Sequence, residues 1–392
     1  MSTRAIQPAT APPAQGRPIT ERLTLGFDPW LAFSALGLGG LSLVAIHGAH
    51  PQYVSRQAVY LAVGFVLMVV MSRFDYSRLR EVKWGIYAAL ILMILLVLAL
   101  GTSADGADRA ISLPFVSFQS SELGKVLLMV FLAAVVVDSS RKASSRELTA
   151  RVMLLALLPA MLVIKEPDLG SGLVYVAIAF AILYIAGVDW QQLAAVAALG
   201  ITALTLALLI APALGVHVLH GYQEQRLTGF LHPSENPDSH AFQQDQSVIG
   251  IGAGEKTGRG AGATQTSLGL VGDESPTDFI FTVVGERLGF VGAAIVLSLY
   301  ALMIWRTLRI VAIAKNLFGA LIAAGAVAML MFQVFVNVGM TVGIMPITGV
   351  TLPLMSYGGS SVLTTFLTLG LLQSIFGQAR AASANKGRVL RF

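Results

Sequence analysis

Asp278 stands in the run Thr277-Asp278-Phe279-Ile280-Phe281, a lone carboxylate beside two phenylalanines where a polar stretch meets a long apolar one. Two roles suit it. As an N-cap it would favour the positive end of a helix dipole; as a partly desolvated carboxylate it would hold a proton more tightly and serve as a general base. Glu122 and Lys125, in Ser120-Ser121-Glu122-Leu123-Gly124-Lys125, are three residues apart, share a helix face and can pair, for structure or for a site. Lys165-Glu166-Pro167-Asp168 sets three charges between two apolar segments. Asp168 can cap the helix that follows, and two acids beside a lysine could also take a cation or a charged group of a substrate. Arg109 and Arg226 fall in polar stretches; such arginines are mostly solvated, but a guanidinium near a membrane surface is a good bidentate phosphate ligand. Glu286 and Arg287 point different ways on a helix and read as structural.

Other chemistries are excluded. Cysteine is absent, which removes thiol nucleophiles, thiolate zinc sites and disulfides together. His217, His220 and His232 form no His-Glu-x-x-His pattern, so no histidine metal site is expected. Val248 to Gly272 holds eight glycines in 25 residues. Its backbone N–H groups could cradle phosphates, but Glu255 precedes Lys256 where a P-loop needs glycine, and a flexible loop is the plainer reading.

The elements that must position these residues are apolar. Of 392 residues, 55% are hydrophobic and 12% charged, about half the charge of a soluble domain. Ten apolar segments of roughly membrane-spanning length are predicted. They lie near Trp30–Ile46, Val54–Met71, Trp84–Leu100, Leu123–Val137, Val152–Ile164, Gly172–Ile185, Leu193–Leu214, Phe279–Ile304, Leu317–Val342 and Leu354–Phe376. With both termini cytoplasmic, 18 of the 26 Lys and Arg residues fall inside, which supports that orientation. The net charge of +5 is small for this length and does not suggest nucleic acid.

The expected fold is therefore an all-α polytopic membrane protein with a large extracytoplasmic loop, residues 215–277, between helices 7 and 8. Residues 1–27 read as a flexible cytoplasmic tail, 28–378 as one transmembrane domain and 379–392 as a basic cytoplasmic tail. A cleaved signal peptide is not expected, because the first long apolar run begins near Trp30. Small residues from Gly349 through Pro353 to Ser361 suit either tight helix packing or a broken helix entrance lining a polar cavity.

Taken in order, these segments resemble the SEDS family (shape, elongation, division and sporulation), which includes RodA and FtsW. The matching stretches are Ser117 to Lys125, Lys165-Glu166-Pro167-Asp168-Leu169-Gly170, Gln243 to Gly252, Thr277-Asp278-Phe279-Ile280-Phe281, and Met345 to Ser361. Met340 to Pro346 looks more like RodA than FtsW. Ala110, Ser120 and Ser275-Pro276 depart from the usual pattern without touching the charged positions.

The resemblance implies a peptidoglycan glycosyltransferase that polymerises lipid II, for cell-wall elongation and cell shape. Its partners would be a class B penicillin-binding protein, the elongation machinery and membrane lipids. It implies Asp278 as the catalytic acid residue of the family, with Glu122, Lys125, Asp168 and Arg109 at family positions; Lys165 and Arg226 are supporting candidates. A divalent cation, Mg2+ or Mn2+, near Asp168 is a further expectation. The rival reading is a lipid II flippase or another transporter, with these charges lining a pathway.

Overall fold

The computed structural model describes residues 26–100, 102–104, 107–112, 117–139, 144–166, 168–213, 240–267, 269 and 275–389. Each of the ten apolar segments is a helix. In chain order they are α1 (Pro29–Ala49), α2 (Val54–Ser72), α3 (Lys83–Leu100), α4 (Ser120–Ser139), α5 (Ser145–Lys165), α6 (Leu169–Ile185) and α7 (Trp190–Ala213). After α8 (His240–Ala253) come α9 (Ile280–Ile313), α10 (Leu317–Thr341) and α11 (Gly359–Val389). Among the described residues, eight helices are long and apolar enough to cross a membrane, and α6 is a shorter apolar one.

Two features depart from the sequence reading. The polar stretch before α4 forms a small antiparallel sheet, ordered β1 (Thr102–Ala104), β2 (Ala107–Ser112), β3 (Ser117–Phe118). Such pairing satisfies backbone groups that no helix takes up. The second is α8, which lies within the stretch read as loop.

Local chemistry sets the helix ends. Asp28, Ser144 and Asn316 accept from backbone N–H groups in the first turns of α1, α5 and α10, and Pro29 takes the first position of α1. α4, α10 and α11 are the most enclosed helices, and α2 packs along α11, α1 along α9, and α6 along α10. The outer faces carry Val59, Val63 and Val66 on α2, Leu92, Leu95 and Leu96 on α3, and Phe290, Val291 and Ile295 on α9, all exposed. Faces this apolar match a bilayer and not water. The chain is a multi-pass membrane protein.

The connections segregate to two ends of the bundle. One end is joined by Tyr76 Oη to Asn316 Oδ1 (3.1 Å), Gln378 Nε2 to Asp75 Oδ1 (2.9 Å), Arg80 to Asp138, and Arg306 to Asp28. The other collects residues 50–53, 117–119, Glu166, Asp168, 275–279 and 342–358, and it carries the site.

Candidate active site

The turn between α5 and α6 meets the start of α4 through two acids and two serines. Ser121 Oγ donates to Asp168 Oδ2 at 2.7 Å, and Gln119 Nε2 donates to the same oxygen at 3.1 Å. Asp168 Oδ1 accepts from Ser171 N at 2.9 Å, so the capping role read from the sequence is met while the second oxygen faces α4. Ser120 Oγ lies 3.1 and 3.0 Å from the two oxygens of Glu166. Burial pushes the Glu166 carboxyl up to about 8; the Ser120 hydrogen bond opposes that rise and the nearby Asp168 charge adds to it. Lys165, by contrast, is exposed and pairs with neither acid. Helix geometry turns it outward, so the expected cluster of two acids and a lysine loses its lysine.

One turn into α4, Lys125 Nζ donates to Glu122 Oε1 at 2.6 Å, with the residues 1% and 4% exposed. The expected pair forms. It is enclosed because Gly124 lets Tyr175 approach: a Cβ there would lie 1.9 Å from the Tyr175 hydroxyl, which donates to Ser121 O at 3.2 Å.

Asp278 is buried at 7% exposure in the turn before α9. The N-cap reading fails, because Phe279 holds that position. The turn is fixed from α10 and from the segment 342–358. Asn337 Nδ2 donates to Asp278 O and to Val350 O, both at 2.8 Å. Ser356 Oγ donates to Thr277 O at 2.5 Å, and Tyr357 N to Pro276 O at 2.8 Å. In the small-residue run α11 starts only at Gly359, and residues 349–358 are not helical. This segment joins the two halves of the site. Ser360 Oγ accepts from Gln119 N (3.1 Å) and donates to Ser117 O (2.6 Å), and Thr348 O packs on Gly170 of α6.

Residues 254–266 of the glycine-rich run are docked on α9, which corrects the flexible reading there. α9 breaks at Gly289 (φ 64°, ψ −163°). The freed N–H groups of Phe290 and Val291 donate to Glu255 O (2.9 Å) and Lys256 O (3.1 Å), and Arg259 N donates to Glu286 O (2.9 Å). The buried Glu286 carboxylate accepts from Gln265 N (3.0 Å), Thr266 N (2.9 Å) and Thr266 Oγ1. Its structural reading holds, and the N–H groups of Arg259, Gln265 and Thr266 are taken up by Glu286.

Arg109 lies on β2, in a stretch whose side chains are not described. Arg226 and His217, His220 and His232 lie outside the described residues. Among the described residues no three His, Asp or Glu side chains come together. Asp168 already accepts three hydrogen bonds, so this donor set does not fit a preformed metal cage. The serines holding both acids, and Asn337, are the site members that sequence reasoning did not single out. Small polar residues beside apolar runs were their only signal.

A bundle that gathers a buried ion pair, two buried acids and a non-helical approach to α11 at one end defines a polytopic membrane protein with a polar cluster at that end. It belongs to the FtsW–RodA–SpoVE (SEDS) family: the family model described as "Cell cycle protein" matches residues 34–381. The chain is similar to peptidoglycan glycosyltransferase MrdB of Escherichia coli K12, at 35% identity over 89% of this chain and 93% of that one. It is also similar to a probable peptidoglycan glycosyltransferase FtsW of Thioalkalivibrio sulfidiphilus, at 36% over 91% of each. A solved chain from "Structural coordination of polymerization and crosslinking by a peptidoglycan synthase complex" superposes with a TM-score of 0.77 and 30% identity, covering 90% of this chain and 98% of that one.

Proposed function

We infer that the chain is an inverting peptidoglycan glycosyltransferase that polymerises glycan strands from lipid II. The observation that carries this reading is the buried Asp278, held by Asn337 and by the segment that also packs on Gly170 at the start of α6. Asp278 takes the proton from the acceptor GlcNAc 4-hydroxyl, whose oxygen attacks the anomeric carbon of the lipid-linked MurNAc. The C–O bond to the diphosphate breaks and undecaprenyl diphosphate leaves; a single displacement turns the α linkage into β. Lys125, oriented by Glu122, and Arg109 offset the charge of the departing diphosphate, with Arg226 and Lys165 as peripheral contacts for the substrate. A divalent cation, Mg2+ or Mn2+, would be held by Asp168 together with the substrate diphosphate and would offset the charge of the departing group. A site at one end of an apolar bundle suits a substrate whose tail stays in the bilayer.

We also place both termini in the cytoplasm, on the charge asymmetry of the loops. The site end then faces outward, where a class B penicillin-binding protein crosslinks the product. Elongation is the favoured context on the RodA-like Met340–Pro346, and division is its alternative.

Incubating the purified chain with lipid II, with and without its transpeptidase partner, tests the reaction. Polymer from the native chain, lost on Asp278→Asn in folded protein, is expected. Undiminished polymer from that variant would remove the base assignment, and translocation of lipid II across vesicles without polymer would favour transport.

A further inference from the structure

A strip of aromatic rings lies beside the Asp278 turn and has no part in the reaction above. His50 and Tyr53 have ring centroids 5.7 Å apart. Tyr53 stacks on Tyr357 at 4.6 Å with planes 23° apart, and Tyr60 lies 6.2 Å from Tyr357 with planes 45° apart. His50, Tyr53 and Tyr357 are half-buried, and Gln52 and Arg56 beside them are exposed. The strip is anchored to the residues just before Asp278 at two points: Tyr357 N donates to Pro276 O at 2.8 Å, and His50 Nε2 bonds Ser275 Oγ at 3.0 Å. Gln57 stiffens it from below, donating to Ser356 O at 3.2 Å.

Isolated tyrosines at a membrane interface serve as anchors facing the headgroups. Here the rings stack on one another and are bonded to the loop that carries the candidate base, an arrangement that orients a ligand and not merely a helix. A β-linked pyranoside offers a face of axial C–H groups to an aromatic ring, with hydroxyl and acetamido groups around its rim for polar partners. Tyrosine combines such an apolar face with a polar tip.

We propose that His50, Tyr53 and Tyr357, with Arg56 at the edge, form a glycan subsite that holds a sugar of the acceptor strand next to Asp278. This rests on the polymerase reading. The tyrosine rings take the sugar faces, His50 and Gln52 meet hydroxyl or acetamido groups, and Arg56 meets a carboxylate of the peptide stem.

The test uses the full chain in nanodiscs and a tail-free GlcNAc–MurNAc tetrasaccharide carrying its peptide stems, so that no lipid anchor contributes. Tyr53→Ala should weaken binding about three- to tenfold, the range of one aromatic contact. Tyr53→Phe should bind as the native chain does. Arg56→Gln should weaken the stem-bearing sugar and leave a stem-free tetrasaccharide unchanged, which also guards against misfolding of the alanine variant. The proposal is overturned if the native chain does not bind the tail-free sugar, if Tyr53→Ala binds it undiminished, or if Tyr53→Phe loses as much as Tyr53→Ala. Failure of the polymerase reading shows separately, as absence of polymer from lipid II by the native chain.

Discussion

Asn337 holds the main chain of Asp278: one side-chain nitrogen, buried in α10, donates at 2.8 Å to the Asp278 carbonyl and at 2.8 Å to that of Val350. The general base proposed here is thus positioned by an amide 59 residues away in sequence, and the same amide holds the non-helical approach to α11. Asn337→Leu leaves two buried carbonyls without that donor. Because small misplacements of reacting groups cost about 100-fold, lipid II turnover should fall by that order while KM changes little. Initial-rate kinetics would check this; a rise in KM at unchanged kcat would mean that Asn337 serves substrate binding instead.

The Glu122–Lys125 pair is almost fully enclosed. Breaking one partner of a buried pair costs about 3–5 kcal/mol, whereas replacing both with apolar groups costs far less. Lys125→Met alone should therefore lower the unfolding temperature more than Glu122→Leu/Lys125→Met together. A double-mutant cycle by thermal unfolding measures the coupling, and additive losses would contradict it.

Glu166 ties stability to pH. Its carboxyl is raised to about 8 from 4.5, so between those values the folded chain keeps a proton that the unfolded chain releases. Its contribution is complete below about pH 4.5, falls as pH rises towards 8, and is flat beyond. Thermal unfolding from pH 5 to 8 should show a steeper decline for the native chain than for Glu166→Gln. Equal slopes would mean that Glu166 is ionised throughout.

Gly289 marks the break in α9, and an added Cβ would lie 2.4 Å from Gly258 N. Gly289→Ala combines that clash with a backbone region nearly reserved for glycine, which alone costs about 1–3 kcal/mol. Gly262→Ala, with nothing within 4 Å, should be nearly neutral. Hydrogen exchange at Phe290 and Val291 is the direct readout. Their amides should lose protection in the first variant and keep it in the second.

Hydrophobic runs set the helices directly, because in a bilayer each span must satisfy its own backbone hydrogen bonds; α1 to α7 and α9 to α11 follow the apolar segments. Ends shifted where polar residues extended a helix. α5 begins at Ser145, seven residues before its apolar run, because Ser144 caps it and Glu147 favours its first turn. The pairing of Glu122 with Lys125 was also legible, since helix periodicity alone puts them on one face.

The remainder depends on approaches between distant segments, which leave little trace in composition. Glycines of residues 254–258 looked like flexibility, yet Gly254 and Gly258 are small because the α9 backbone lies against them. Lys165 looked like a partner for Glu166 and Asp168, but the last turn of α5 points it away. Ser120 and Ser121 gave no sign of their roles until the turn from Glu166 to Asp168 folded onto α4. By itself the sequence determined the spans and the short list of charged residues, because burial in lipid and helix geometry act locally. Only the tertiary structure decided which charges meet, which loop is ordered and what holds Asp278, because those outcomes depend on hydrogen bonds between groups far apart along the chain.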